Sequence, residues 1–398
     1  MKIAWITYDF EEYSSRHVNE LARQHDVLLV MPSPEPGAPV YPIAENVRHI
    51  SFDNPRLRQP FRHIATIRNL LRQVHDFSPD VVHYQQGHLW FNFALSSLKK
   101  YPLVVTIHDP RHHAGDSVSK KTPQWVMDRG FRLADHVIVH GEALKKQVCQ
   151  LFGFQSRQVH VIPHVAMGGS VDANVRSATT LGNNTHGDDD APVDSTDGCD
   201  IHEDGHNVLF FGRIWDYKGL DNLIAAEPLI SQRFPDVNIV IGGEGEDFDR
   251  YRKLIQNPSR FQIHNRWISD QERAEMFQRA SVVVLPYREA TQSGVVPVAY
   301  NFCKPVVATR VGALAECIEH ETTGLLVPPN DSQKLADAIV RVLNDPEERS
   351  RMGRAGRNRL VRESAPEVVA QQTMNVYLTA INEGDTGPVD RPSSEVEE

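Results

Sequence analysis

The first 165 residues alternate between short apolar runs and segments with helical spacing. The apolar runs favour strands at Lys2–Tyr8, Val27–Met31, Asp80–His83, Leu103–His108 and His136–His140. Helical spacing lies between them, for example in His17–Gln24 and in the apolar positions from Phe61 to Val74. Strands that alternate with helices predict βαβ units and therefore a parallel sheet.

The same alternation resumes after residue 206. Strands are predicted at Asn207–Phe211, Val237–Ile241, Phe261–His264, Ser281–Leu285, Pro305–Thr309 and Gly324–Val327. Helices are predicted at Asp221–Phe234, Asp270–Arg279, Ser332–Leu343, Pro346–Arg362 and Pro366–Asn382. The interval 166–206 is rich in Gly, Asp, Asn, Ser and Thr and has almost no large apolar side chain. Such a segment buries too little surface to offset its ordering entropy, which predicts a flexible linker or insertion.

The fold class is therefore predicted as α/β, with two domains that resemble the Rossmann fold. We expect a first domain at 1–165, an acidic linker at 166–206 and a second domain at 207–365. A helix at 366–383 is expected to cross back to the first domain, and an acidic, disordered tail to follow at 384–398. Ligands of open parallel sheets bind beyond the carboxyl ends of the strands, so the cleft between the domains is the expected site.

Charge narrows the choice of function. The net charge is −10, but 166–206 carries −8 and 384–398 carries −4, so the remaining chain is close to neutral. A nucleic-acid binder is not expected, because no long basic stripe interleaved with aromatic residues occurs. The short apolar start is followed at once by Asp9, Glu11 and Glu12, which argues against export and favours a cytoplasmic location.

Cations follow the first strand of the second domain. Gly212 and Arg213 come directly after that strand, and Lys218 lies five residues beyond Arg213. Glycine allows close approach of a ligand, and a guanidinium with an ammonium suits a diphosphate. From these residues alone, it is an equally good interpretation that Arg213 and Lys218 are solvated cations of a loop without a ligand.

Two further segments lie where strands should end. Gly294 should open a helix after Thr291, Gln292 and Ser293, and helix starts favour anions, although a packing role explains one glycine as well. His108-Asp109 should face the cleft and contact substrate, although a structural pair is the simpler reading. A metal site from His108, Asp109, His112 and His113 lacks a familiar spacing, and we expect no metal.

The order and spacing of these segments resemble glycosyltransferase family 4 and its GT-B architecture of two Rossmann-like domains. The resemblance is strongest over 207–360. The segments that carry it are 16–22, 107–109, 134–139, 212–219, 242–245, 293–297, 304–312 and 323–327. The family transfers a sugar from a nucleotide donor with retention of anomeric configuration and without a required metal.

The resemblance implies roles for particular residues. Catalysis would involve His108, Arg213 and Lys218. Donor contacts would come from Gly212, Glu289, Thr291, Gln292, Ser293, Gly294, Val295 and Glu316. The chain departs from the family where a Glu, seven residues and a second Glu are usual, because Thr291 and Ala299 occupy those positions. Glu289 is a candidate substitute for one missing carboxylate.

The resemblance also implies the reaction and its partners. We expect transfer of a hexose-type sugar from a UDP- or GDP-sugar to a hydroxyl of a glycan, a lipid-linked acceptor or a polysaccharide precursor, with no cofactor. Arginines from Arg56 to Arg72 would suit peripheral contact with an anionic membrane, although a helix docked on its sheet with a solvated face is the simpler interpretation. Two alternatives are a nucleotide-sugar-binding protein that has lost catalysis and a sugar-nucleotide epimerase of the same architecture.

Overall fold

A computed structural model describes residues 1–34, 39–85, 87–112, 122–168, 205–245 and 248–385. Its first sheet has seven parallel strands in the order β3-β2-β1-β4-β5-β6-β7. The strands are β1 (Lys2–Thr7), β2 (Asp26–Pro32), β3 (Arg48–Phe52), β4 (Val81–Gln85), β5 (Leu103–Thr106), β6 (His136–Val139) and β7 (Val159–Val161). The five predicted strands of this part of the chain are confirmed to within two residues at each end.

Sequence reasoning missed the two edge strands. In β3, Arg48, His49 and Ser51 are exposed and only Phe52 is buried, so the strand has no continuous apolar run. The other edge strand, β7, is three residues long. An edge strand has one neighbour and one solvated side, so it needs less apolar surface than a central strand. The apolar pattern therefore predicts the middle of the sheet better than its edges.

The second sheet has six parallel strands in the order β10-β9-β8-β11-β12-β13. They are β8 (Asn207–Phe211), β9 (Asn238–Gly243), β10 (Phe261–Asn265), β11 (Val282–Leu285), β12 (Val306–Thr309) and β13 (Gly324–Val327). All six were predicted. Both sheets thus have the strand order of the Rossmann fold, and the α/β class with two Rossmann-like sheets is confirmed.

Helices cover both faces of each sheet. In the first sheet they are α1 (Glu11–Leu21), α2 (Pro60–Phe77), α3 (Leu89–Ala94), α4 (Gln124–Arg132) and α5 (Glu142–Phe152). The helices after β7 in the chain are α6 (Leu220–Ser231), α7 (Phe248–Arg252), α8 (Asp270–Arg279), α9 (Val295–Asn301), α10 (Leu314–Cys317), α11 (Ser332–Asn344), α12 (Pro346–Ser364) and α13 (Pro366–Asp385). Along β1, Ala4 and Ile6 enter one core and Ile3 and Trp5 the other, as expected for a strand buried on both faces.

The last helix belongs to the first sheet. In α13, Thr373 Oγ1 lies 2.9 Å from His17 Nε2 of α1, and Tyr377 Oη lies 2.6 Å from His83 Nδ1 of β4. The chain therefore crosses between the sheets twice, once after β7 and once between α12 and α13. The two crossings lie side by side, since Ala166 N–H donates to Ser364 O at 2.8 Å. Residues 169–204 of the predicted linker and 386–398 of the predicted tail lie outside the described residues.

Strand order locates a crevice in each sheet. The order reverses between β1 and β4 in the first sheet and between β8 and β11 in the second. Helices on the two sides of such a point lie on opposite faces, which leaves an opening beyond the strand ends. Within the described ranges, no helix is long and apolar enough to cross a bilayer.

Candidate active site

The loop that carries both predicted phosphate-binding cations lies at the crevice of the second sheet. It leaves β8 through Gly212, which has φ +120°, and ends at Gly219, which has φ +63°. A Cβ on Gly219 would lie 2.0 Å from Pro286 O, in the loop that follows β11. Only glycine permits this approach without a shift of backbone. The loops after β8 and β11 are thereby pressed together where the strand order reverses.

Lys218 is held on aromatic faces in this loop. Its Nζ lies 3.8 Å from the ring centroid of Tyr287 and 5.0 Å from that of Tyr217, which are cation–π distances. Burial lowers the pKa of Lys218, and the charge of Arg213 lowers it further, while Tyr217 and Asp109 act in the opposite direction. Two cations are therefore close enough to repel each other, and an anion between them would relieve that repulsion.

The Arg213 side chain is exposed and its charge reaches across the cleft. Asp9, after β1 of the first sheet, has an exposed side chain, but protein atoms surround it closely enough to desolvate its carboxyl group in part. This desolvation and the charge of Glu11 raise the pKa of Asp9 to about 6, whereas Arg213 opposes the rise. Arg213 thus contributes to a positive potential that the first domain also experiences.

A short helix begins beside these cations. Gly294 is the N-cap of α9, as the sequence predicted, and Val295 N–H donates to Ser293 Oγ at 3.3 Å. The Ser293 side chain also lies beside Tyr287, whose ring carries Lys218. A Cβ on Gly294 would lie 3.0 Å from Met167 Cε, in the first crossing between the sheets. The helix start is therefore enclosed on one side.

His108 forms the opposite wall of the cleft. It follows β5, it is fully buried, and its ring stacks on Phe10 at 4.0 Å between centroids. Gln85 Nε2 lies 2.5 Å from His108 Nε2. Burial, reinforced by His140 and His164, holds the pKa of His108 well below its usual range. His108 is therefore a neutral imidazole near neutral pH, able to exchange hydrogen bonds with a hydroxyl.

Two contacts join the walls at the centre of the cleft. The Thr291 hydroxyl donates to Asp109 Oδ1, and the Gln292 side chain lies near His108 and acts to raise its pKa. Neighbouring residues after β11 thus meet neighbouring residues after β5. The His108-Asp109 pair and the segment before α9 consequently form one site rather than two.

Further contacts join the domains around this centre. Both Glu316 carboxylate oxygens accept backbone N–H groups at the start of α5, from Glu142 at 2.6 Å and Ala143 at 2.7 Å. On another side, Glu12 pairs with Arg273 of α8 at 3.3 Å and accepts Gly168 N–H at 2.8 Å. A carboxylate at a helix N-terminus is stabilised by unpaired donors and by the helix dipole. The cleft is thus closed over its centre by charged hydrogen bonds.

Comparison with known proteins identifies the family. The family model described as "Glycosyltransferase Family 4" matches residues 11–165, and the one described as "Glycosyl transferases group 1" matches residues 205–345. The chain is therefore a family 4 glycosyltransferase. The two matches cover the two sheets, so the resemblance noted from short motifs is confirmed over both halves of the enzyme.

Curated relatives of this glycosyltransferase act on different substrates by name. Alpha-D-kanosaminyltransferase of Streptomyces kanamyceticus is 27% identical over 66% of this chain and 67% of its own. Glycogen synthase of Mycobacterium tuberculosis is 26% identical over 96% of this chain and 95% of its own. D-inositol 3-phosphate glycosyltransferase of Pseudarthrobacter chlorophenolicus is 35% identical over 44% of this chain and 43% of its own.

Solved structures give the same architecture. Sucrose-phosphate synthase of Thermosynechococcus elongatus matches with a TM-score of 0.72 at 21% identity, over 96% of this chain and 100% of that one. Anabaena HepE in complex with UDP matches with a TM-score of 0.64 at 16% identity, over 95% and 100%. The glycosyltransferase therefore has the GT-B fold that the sequence predicted.

The structure gathers most of the predicted site residues at one edge of the second sheet. Gly212 and Lys218 lie on one side and Thr291 to Val295 on the other, with His108 across the cleft. Glu289 lies on the loop after β11 with an exposed side chain. Both Glu316 oxygens accept N–H groups at the start of α5, and the expected contact of Glu316 with donor hydroxyls stays a prediction.

Sequence reasoning missed several residues of the cleft. Gln85 and Arg273 make the contacts described above, but neither belongs to a motif, and Glu12 stands where we expect the family to have a glycine of its first loop. No metal was predicted for His108, Asp109, His112 and His113; His112 Nε2 lies 3.0 Å from Thr122 O, and His113 lies outside the described residues. Among the described residues, His108 is grouped with His140 and His164. A signal for this group existed, since each of the three follows one of three neighbouring strands.

Proposed function

We propose that the glycosyltransferase moves a hexose-type sugar from a UDP- or GDP-sugar to a hydroxyl acceptor, with retention and without a metal. The observation that carries the proposal is the position of Arg213 and Lys218 at the strand-order reversal of the second sheet. The name of a structural neighbour supports the donor class, since HepE is described in complex with UDP-glucose. Retention is proposed from the family alone.

The proposed reaction places negative charge on the leaving diphosphate. Arg213 and Lys218 would stabilise that charge, with the Val295 N–H as a third donor. Fixed donors and cations that await charge in a desolvated cleft lower the barrier more than mobile water does. In this proposal the protein cations do the work for which other transferases employ a divalent ion.

The opposite wall would hold the sugar. His108 is neutral, so it would bind a sugar hydroxyl without competing with the cations for the diphosphate. Thr291 and Asp109 would supply a hydroxyl and a carboxylate at the place where the family usually offers a glutamate. The acceptor hydroxyl would approach from the first domain.

Arg213→Ala tests the proposal most directly. The loss of charge stabilisation should lower kcat/KM about 100- to 1000-fold with the best donor from a panel of UDP- and GDP-sugars. Arg252→Ala is a matched control, because its exposed side chain lies on α7 and pairs with Asp249. Full activity of the Arg213 variant would overturn the assigned role, and loss of activity in EDTA-treated enzyme would overturn metal independence.

Contact with an anionic membrane is also proposed. The arginines at positions 56, 58, 62, 68 and 72 are all exposed. Phe61 lies on α2 with the arginines at 62, 68 and 72 and is 84% exposed. Trp125, which contacts the Phe93 ring, is 62% exposed. Exposed aromatic rings beside cations are typical of surfaces that bind anionic lipid, and a lipid-linked acceptor would then lie near the cleft.

Liposome sedimentation at low salt tests the membrane contact. Binding to anionic vesicles should weaken at least tenfold in a Phe61→Ser/Arg62→Ser double variant, and uncharged vesicles should bind weakly. Leu254→Ser/Lys253→Ser removes one exposed apolar and one exposed basic side chain elsewhere and should bind like the wild type. Equal sedimentation with uncharged vesicles, or no sedimentation at all, would contradict the proposal.

A non-catalytic donor-binding protein is the second candidate. Its basis is the absence of carboxylates at positions 291 and 299. The hydroxyl of Thr291 is also engaged in its hydrogen bond to Asp109. Donor binding by calorimetry, without transfer, hydrolysis or epimerisation across a broad acceptor panel, would favour it. Conversion of the donor without an added acceptor would instead indicate an epimerase.

A further inference from the structure

Three histidines meet beneath the cleft of the first domain. His108 follows β5, His140 follows β6 and His164 lies three residues beyond β7. One ring nitrogen from each lies within 4.8 Å of the other two. The centroids of the His140 and His108 rings are 4.8 Å apart, and those of His140 and His164 are 5.1 Å apart. The carboxyl ends of neighbouring parallel strands therefore converge on one small volume.

Backbone carbonyls orient two of these rings. His140 Nδ1 lies 2.8 Å from Ile162 O, and His164 Nδ1 lies 3.0 Å from Val165 O. In both rings Nδ1 must carry the hydrogen to donate, so Nε2 carries the lone pair. Within the described part of the chain, His140 Nε2 is buried and has no hydrogen-bond partner. A buried lone pair without a donor is costly unless a cation or proton lies beside it.

His108 is compatible with the same arrangement. Its Nε2 meets the Gln85 side-chain amide, so coordination would use Nδ1. A half-turn of that amide replaces its NH₂ group with its oxygen, which would then accept a hydrogen from His108 Nε2. Gln85 Oε1 is itself buried without a partner among the described residues. Tyr13 closes the group, with its ring centroid 4.9 to 5.7 Å from those of all three histidines.

We propose that His108, His140 and His164 bind one divalent transition-metal ion such as Zn²⁺. Three neutral imidazoles, each held through its second nitrogen, form the ligand set of many zinc sites with an open fourth position. Zinc–nitrogen bonds of about 2.0–2.1 Å place the nitrogens of a tetrahedral site about 3.3 Å apart. The widest present separation would therefore shorten by up to about 1.5 Å, which half-buried His164 can supply by moving inward.

The site would not serve the donor diphosphate. The ion would lie in the first domain, behind His108, whereas Arg213 and Lys218 belong to the second. Coordination would fix the His108 ring and put positive charge behind it. We therefore expect the ion to inhibit transfer, a consequence that rests on the proposed function, whereas binding of the ion does not.

Cobalt titration of the untagged, full-length, EDTA-treated protein tests the site. One equivalent of Co²⁺ should bind and give the visible absorption of a tetrahedral ion with nitrogen ligands, and Zn²⁺ should displace it. His164→Ala and His140→Ala should each weaken binding at least 100-fold. His206→Ala, which removes a partly exposed histidine of the second domain, is the matched control. Circular dichroism should show that each variant is folded. If His140→Ala does not fold, His164→Ala decides the question, because the His164 side chain is only half-buried.

Several results would overturn the site. Failure of the wild type to bind Co²⁺ at 0.1 mM would do so, as would unchanged binding in His164→Ala, because the ion would then be held elsewhere. If the wild type binds more than one equivalent of Co²⁺ and His164→Ala binds the same number, the site is overturned as well. If the ion binds as proposed, Zn²⁺ should inhibit the wild type at concentrations at least tenfold lower than those needed for His164→Ala. Binding without inhibition would refute the role but not the site.

Discussion

The Thr291 hydroxyl donates a hydrogen bond to the Asp109 carboxylate, from the second domain to the first. We expect Thr291 to occupy the place of a family carboxylate, and on that expectation the negative charge at this point comes from Asp109, on the opposite wall of the cleft. A hydrogen bond to a charged group contributes about 1.5–3 kcal/mol. A contact of this size across a cleft stabilises its closed form.

Thr291→Val should weaken donor binding about 10- to 100-fold. Valine has the same shape as threonine but cannot donate to Asp109, so the closed form loses the energy of one charged hydrogen bond. Thr291→Ser retains the hydroxyl and should stay within about threefold of the wild type. Calorimetry with the preferred nucleotide sugar measures both, and equal affinities of the valine and serine variants would contradict the role of the hydroxyl.

Glu316→Gln should loosen the closed cleft. Its two oxygens accept the first N–H groups of α5, and removal of the charge loses the interaction with the helix dipole, about 0.3–1 kcal/mol, together with part of the two hydrogen bonds. Small-angle scattering should show a larger radius of gyration, and the exposed neighbour Glu319→Gln should not. Weaker donor binding at an unchanged radius would instead support donor hydroxyls as its partners.

Gly219→Ala should damage the cation loop more than the same change elsewhere. Its φ of +63° costs alanine about 1–2 kcal/mol, and the new Cβ would also lie 2.0 Å from Pro286 O. Gly153→Ala is a matched control, since it has φ +76° with nothing within 4 Å of its Cβ. Donor affinity should fall at least tenfold in the first variant and stay unchanged in the second. Similar affinities would show that the two loops can separate at little cost.

Acid should release α13 from the first domain. Burial and the charge of His164 lower the pKa of His17 to about 3, whereas an unfolded histidine titrates near 6.5. Between these values the unfolded state binds the proton and the folded state does not, so stability is lost as the pH falls below about 6.5. The loss is about 1.4 kcal/mol for each pH unit. The protection factors of amides in α13, which contacts His17 through Thr373, should fall on acidification once the intrinsic exchange rate at each pH is divided out.

His17→Gln gives the control for that pH dependence. Glutamine can still contact Thr373 but does not titrate, so the pH slope of the opening free energy of α13 should fall by about one proton, which is about 1.4 kcal/mol per pH unit. An unchanged slope would assign the acid sensitivity to other buried histidines.

The apolar pattern predicted every central strand, because a strand buried on both faces needs a continuous apolar run. It also placed Gly212, Arg213 and Gly294 at strand ends, where parallel topology brings ligand-binding residues together. The apolar pattern could not predict the contacts between the domains. Nothing in the sequence indicates that Glu316 meets Ala143 or that Gln292 meets His108, since these pairs depend on the closure of two separate bodies.

The side-by-side crossings at Ala166 and Ser364 set the motion available to the enzyme. Two chain segments joined by a hydrogen bond act as a single hinge, about which one domain can rotate but not slide freely. Points far from a pivot move furthest for a given rotation. The mouth of the cleft therefore opens widely with little change at the pivot, so spectroscopic probe pairs placed at the rim will report turnover far better than pairs placed beside Ala166.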